Sequence, residues 1–62
     1  MLKLSDILIQ HHELASFEDL LVAVREAGQG EIFFRIDVRP PFHDTPEDWE
    51  DRLEAAFTGG AR

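Results

Sequence analysis

Cysteine is absent from this chain of 62 residues. That excludes disulfides and thiolate metal sites, two of the devices that hold small domains together. A chain this short buries only about 60% of the surface its unfolded form exposes, and scaffolds of its size rely on cross-links, a metal, oligomerisation or very good helix packing. Packing, self-association and a partner are the options left. Basic residues are also scarce, 6 Lys and Arg against 13 Asp and Glu, for a net charge of −7. Nucleic-acid binding draws on cationic patches and counterion release, so direct binding of nucleic acid is not expected, nor is adhesion to anionic membranes. A basic protein surface fits the charge, and solubility is the plainer use of it.

Long apolar runs are missing too. The longest groups, such as DLLVAV at 19–24, fall far short of the about 20 residues of a membrane-spanning helix. The opening segment MLKLSDILIQHHE has one Lys but meets Asp6 and Glu13 within a few residues, which does not suit a secretory or transit signal. A cytoplasmic location is the expectation. No catalytic or cofactor signature is present: no Gly-x-Ser-x-Gly, no phosphate loop, no glycine fingerprint. So short a chain also struggles to enclose a pocket of about 300 Å³. An enzyme is not expected, and no cofactor is implied.

What is present suffices for a fold, because a hydrophobic fraction of 44% is ordinary for a globular domain. Residues 1–58 read as one α+β domain and 59–62 as a flexible tail. Along the segment LSDILIQHHEL, Leu4, Ile7, Leu8 and His11 recur at helical spacing and Ser5–Asp6 suits a helix start. DILIQ is β-branched enough to be a strand, but no Gly or Pro turn separates it from the next segment, so helix is preferred. In SFEDLLVAVREAG, Ser16 is an N-cap with Asp19 in the capping-box position. Phe17, Leu20, Leu21 and Val24 form one helical face, and Gly28 is expected to end the helix in a left-handed conformation.

GEIFFRIDVRPP is the clearest strand. Ile32, Phe34, Ile36 and Val38 alternate toward the core, with Glu31, Phe33, Arg35 and Asp37 on the other face, until Pro40 and Pro41 stop the ladder. The last helix is expected to start at Thr45 as N-cap and Pro46 at N1, with Glu47 and Asp48 in its first turn, and to run to about Phe57. Trp49, Leu53, Ala56 and Phe57 make its apolar stripe, with Glu47, Glu50, Asp51 and Glu54 opposite.

The order is thus ααβα, with βαβα as the alternative, and a lone strand needs a partner for its backbone groups. Three are conceivable. Self-pairing across a two-fold axis is preferred: an antiparallel register centred on Phe33 sets Glu31 opposite Arg35 and Ile32 opposite Phe34, and stacks Phe33 on its copy. Addition to another protein's sheet, with Phe33 as anchor, comes second. An internal strand from the N-terminal segment, made parallel by a right-handed crossover, comes third.

The sequence therefore points to a small acidic protein-binding module, a homodimer through its strand, that modulates or inhibits a partner by occupying its surface. The candidate partner-binding residues are Phe33, Arg35, Glu47, Glu50, Asp51 and Glu54. Six carboxylates lie between Asp44 and Glu54, relieved only by Arg52. A solvated helix face is the commoner meaning of such a run, and an anionic ridge docking on a basic groove is the functional one. Alternatives are a DNA or RNA mimic, with carboxylates in place of phosphates, and a small structural subunit completed by a larger assembly. His11, His12 and Glu13, with His43 and Asp44, invite a metal reading, but adjacent histidines on a helix point roughly a third of a turn apart. No metal site is assigned, and His11 and His12 are expected to border the core at a helix end.

Overall fold

The computed structural model of the chain describes residues 1–60. Its clearest local signal, the capping sequence at Ser16, produces helix α2, Phe17–Ala27; in chain order, strand β1 is Leu2–Lys3 and helix α1 is Leu4–Gln10. Ser16 Oγ accepts from the Asp19 N–H at 3.2 Å. The Asp19 carboxylate returns the bond one residue earlier than in a capping box, to the Ala15 N–H at 3.2 Å. Phe17, Leu20 and Val24 are buried along one face, joined by Ala23. Each large apolar side chain hidden in this way contributes about 1.5–3 kcal/mol.

Gly28 corrects the sequence reading. It closes α2 with φ −73° and ψ −12°, a right-handed conformation open to any residue. Its lack of a side chain matters for another reason: a Cβ there would stand 2.9 Å from the Phe57 ring and 3.1–3.2 Å from two carbonyl oxygens. The left-handed turn falls to Gly30, φ 82°, which lets the chain double back toward the second strand.

That strand, β2, is Phe34–Arg35, and it pairs in parallel with β1, Leu2 beside Phe34 and Lys3 beside Arg35. The partner is internal, the least preferred of the three arrangements, and it comes from the residues just ahead of α1. Segment 4–10 is helix as preferred. Parallel pairing requires a long connection between the strands, and α1 and α2 provide it. The ladder is shorter than the alternating pattern from Glu31 to Val38 because β1 stops where α1 begins, leaving nothing to pair with. Phe34 and Ile36 pack against the core as expected, whereas Ile32 and Val38 are exposed. The core simply does not extend far enough along the segment to cover them.

Helix α3 is Trp49–Gly60. It starts later than expected because the Thr45 hydroxyl is spent on the preceding turn, donating to the Phe42 C=O at 2.6 Å. Asp48 instead supplies the first carbonyl, which accepts from the Arg52 N–H at 3.1 Å. At the other end the helix continues past Phe57 to Gly60, and Ala61 and Arg62 of the expected tail lie outside the described residues. Leu53 and Ala56 are buried, with Trp49 and Phe57 half-buried against the same core. Phe57 stacks on Phe34 with ring centroids 5.1 Å apart and planes 19° from parallel, so α3 is tied to both α2 and the sheet. Leu4 and Ile7 of α1 complete the core. The Cα radius of gyration is 10.4 Å, against the about 10.6 Å expected for one compact body of this length.

Candidate functional site

Phe33 sits immediately before β2, and its carbonyl accepts from the Leu2 N–H at 3.0 Å. Its side chain is nonetheless 65% exposed, and Ile32 beside it is 82% exposed. Arg35 extends from the strand itself and is exposed. The sheet has two strands, so among the described residues the outer edge of β2 carries no ladder. Adjacent apolar side chains and an open strand edge therefore coincide at one place.

The four carboxylates expected to form a ridge are all exposed: Glu47 in the turn before α3, and Glu50, Asp51 and Glu54 on the helix. Residues three and four apart on a helix are surface neighbours, with Cβ atoms about 5–6 Å apart, so Glu50, Asp51 and Glu54 share one face. Leu53 and Ala56 on the opposite side hold that face outward. Arg52, the cation within the run, is engaged by Asp48, Nε to Oδ1 at 2.9 Å. Trp49 packs against the core rather than standing free as an anchor.

Two other acidic residues serve the fold. Asp37 accepts from the Ser5 N–H at 3.1 Å and the Ser5 hydroxyl at 2.7 Å, capping α1 from 32 residues further along the chain. Its carboxyl is held below the ordinary Asp range, first by the Ser5 hydroxyl and then by the Ser5 N–H. Asp44 does the same for α2, both its oxygens accepting from the Phe17 N–H at 3.0 and 3.2 Å. Charged acceptors suit helix N-termini because the amides there lack intrahelical partners. Pattern reading within a window misses these two residues, since each lies far in sequence from the helix it caps.

His11 ends α1, half-buried, and its Nδ1 lies 3.1 Å from Glu13 Oε1; His12, expected beside it at the border of the core, is exposed instead. Glu13 has its carboxyl lowered by its own backbone N–H and then by His11. His43 and Asp44 belong to the loop beside the start of α2, and no group of three or more His, Asp or Glu among the described residues is arranged to hold a metal ion. No described helix is long and apolar enough to cross a membrane.

Between α2 and α3 runs an open groove of about 440 Å³, lined by the apolar Leu21, Val22, Ala55 and Ala56 and by the charged Glu18, Arg25, Glu26 and Arg52. It is a groove open to solvent rather than an enclosed pocket. A second hollow of about 370 Å³ adjoins His11, Glu13 and Asp19. Neither brings together a nucleophile, a base and an orienting group of the kind covalent chemistry requires. Compared with protein-family models, with curated proteins and with solved structures, the chain matches none, and its function is read from its own residues.

Proposed function

We propose that this chain is a non-enzymatic protein-binding module of the cytoplasm that modulates or inhibits a partner protein by occupying its surface. The observation that carries this reading is the pair Ile32 and Phe33, 82% and 65% exposed beside the open edge of a two-stranded sheet. A single exposed apolar residue is ordinary. Two large ones in succession, beside backbone groups able to accept another strand, combine the anchor and the ladder that strand-addition sites use. Arg35 gives that edge a charge with which to select. Glu47, Glu50, Asp51 and Glu54 add an anionic face that raises the encounter rate with a basic partner and discriminates against acidic ones.

The test is site-specific photo-crosslinking from position 33 in the source cells, followed by calorimetry with the protein so identified. Phe33→Ala is expected to weaken that complex at least about tenfold, the loss of one buried aromatic anchor. A complex indifferent to Phe33→Ala and to charge reversal at Glu47, Glu50, Asp51 and Glu54 would sink the reading.

Mimicry of DNA or RNA is the second reading, favoured by one observation: Arg52 is engaged by Asp48, leaving the carboxylates of α3 as an array little offset by positive charge. Mimicry requires binding that collapses with added salt and competes with nucleic acid for the same site. A complex anchored on Phe33 loses much less.

A further inference from the structure

We infer that the occupant of the Phe33 edge is a second copy of this chain, paired antiparallel about a two-fold axis through Phe33; this rests on the reading of that edge as a protein-binding surface, assigns the edge to self-pairing and leaves the anionic face of α3 to the modulated partner. Hydrogen-bond direction is the first support. In an extended chain the N–H and C=O of one residue point to the same side, and those of its neighbours to the other. The Phe33 carbonyl is turned inward, to the Leu2 N–H. The peptide groups of Phe34 therefore face the open edge, and those of Ile32 join them once the segment extends. A two-fold axis at Phe33 makes Phe33 opposite Phe33 a pair without hydrogen bonds, the kind whose side chains approach most closely, and makes each Ile32 exchange both bonds with Phe34 of the other copy.

Side-chain chemistry is the second support. On the face carrying Phe33, the same register sets Glu31 opposite Arg35 twice, once on each side of the aromatic pair. Opposite charges face each other and the like charges do not. On the other face, Ile32 of one copy meets Phe34 of the other, and Phe34 already stacks on Phe57. The most exposed large apolar residue of the monomer is thereby laid against the rim of the partner's core.

Pairing requires Glu31 to Phe33, which lie outside β2 with a bend at Ile32, to straighten and lengthen the strand toward the span its alternating pattern describes. Glu31 also lies 3.9 Å from the Met1 amino group, both partly exposed. So long and solvated a contact offers little competition.

Light scattering after size exclusion, over a concentration series, measures this directly. The expected species has twice the 7.1 kDa mass of the chain. Glu31→Arg and Arg35→Glu should each raise the dissociation constant about tenfold or more, because each substitution converts two attractive pairs into repulsive ones. The double variant Glu31→Arg/Arg35→Glu should restore the dimer, since the register then pairs the swapped charges. Phe33→Ala should dissociate it irrespective of charge. Phe33 and Arg35 are exposed and Glu31 is partly so, and circular dichroism should show an unchanged fold.

A monomer throughout the series overturns the inference. A dimer that ignores Phe33→Ala, or a double variant that stays dissociated, overturns it equally. A monomer that still loses a different protein partner on Phe33→Ala would overturn self-pairing alone and leave the binding reading standing. A monomer with no Phe33-dependent partner would remove both.

Discussion

Asp37 and Ser5 are joined by two hydrogen bonds, Oδ1 to the Ser5 N–H at 3.1 Å and Oδ2 to the Ser5 hydroxyl at 2.7 Å, across 32 positions of sequence. The bond pair fixes the segment after β2 to the start of α1. It also sets a pH dependence. The Asp37 carboxyl is lowered in the folded state, so its contribution is complete above the ordinary Asp value of 3.8 and fades as pH falls below that toward the lowered value. Asp37→Asn should lower the melting temperature near neutrality, with the gap from the parent protein closing on acidification. A gap independent of pH would show that the carboxylate charge contributes nothing. Glu13, lowered in the same direction, gives the same sign, and Glu13→Gln separates the two.

Asp44 caps α2 in a similar way, and Asp44→Ala should cost about 1 kcal/mol in urea unfolding. Asp44→Asn keeps an acceptor and should lose less. If the two variants unfold together, the hydrogen bond to the Phe17 N–H is not what Asp44 contributes.

Gly28 and Gly30 should respond to alanine for different reasons. At Gly28 the backbone is already helical, so alanine gains in propensity but drives its Cβ against the Phe57 ring and two carbonyl oxygens. The expected net cost is about 1–3 kcal/mol. Gly28→Ala combined with Phe57→Ala should recover part of the steric loss. At Gly30 there is open space around the site, and the cost, about 1–2 kcal/mol, comes from the positive φ alone. No second-site change in packing should relieve it.

Leu53 is fully buried on α3, within the core. Leu53→Ala should cost about 2–5 kcal/mol, and a domain of this size rarely has more than about 3–5 kcal/mol in reserve. The variant should be substantially unfolded at 25 °C. Trp49, half-buried against the same core, reports the change as a red-shifted emission. An unshifted spectrum with an undiminished helix signal would mean the core relaxes around the cavity.

Glu54→Lys should do the reverse, leaving stability within about 0.5 kcal/mol because the side chain is exposed away from the core. Its effect should fall on the rate of association with a basic partner and on the salt dependence of that rate. An unchanged association rate would reduce the ridge to a solvated helix face.

The helices were legible because their determinants are local. Ser16 and Asp19 cap α2 through atoms three residues apart, and the spacing of Phe17, Leu20 and Val24 states which face is buried. The stripe of Leu53, Ala56 and Phe57 is equally plain, and so is the exposure of Phe33 and the α3 carboxylates. Elements of two residues carry no such signal. Nothing in Leu2–Lys3 marks a strand, and those residues became one only because α1 and α2 return the chain to lie beside Phe34–Arg35. Strand length was a property of that pairing: alternation ran from Glu31 to Val38, but a ladder extends only as far as its partner. Gly28 looked like a left-handed terminator because that is its usual work after a helix, while the approach of Phe57 from another element decided its role. Local sequence places Asp37 on a strand face, Asp44 in an acidic run and Thr45 at a helix start, yet Asp37 and Asp44 bond to helices 32 and 27 residues away, and the Thr45 hydroxyl turns back to Phe42. The chain by itself determined periodicity, capping and charge, which act over a few residues. Packing decided which backbone groups meet, because hydrogen bonds and steric contacts between distant segments exist only once the core has brought them together.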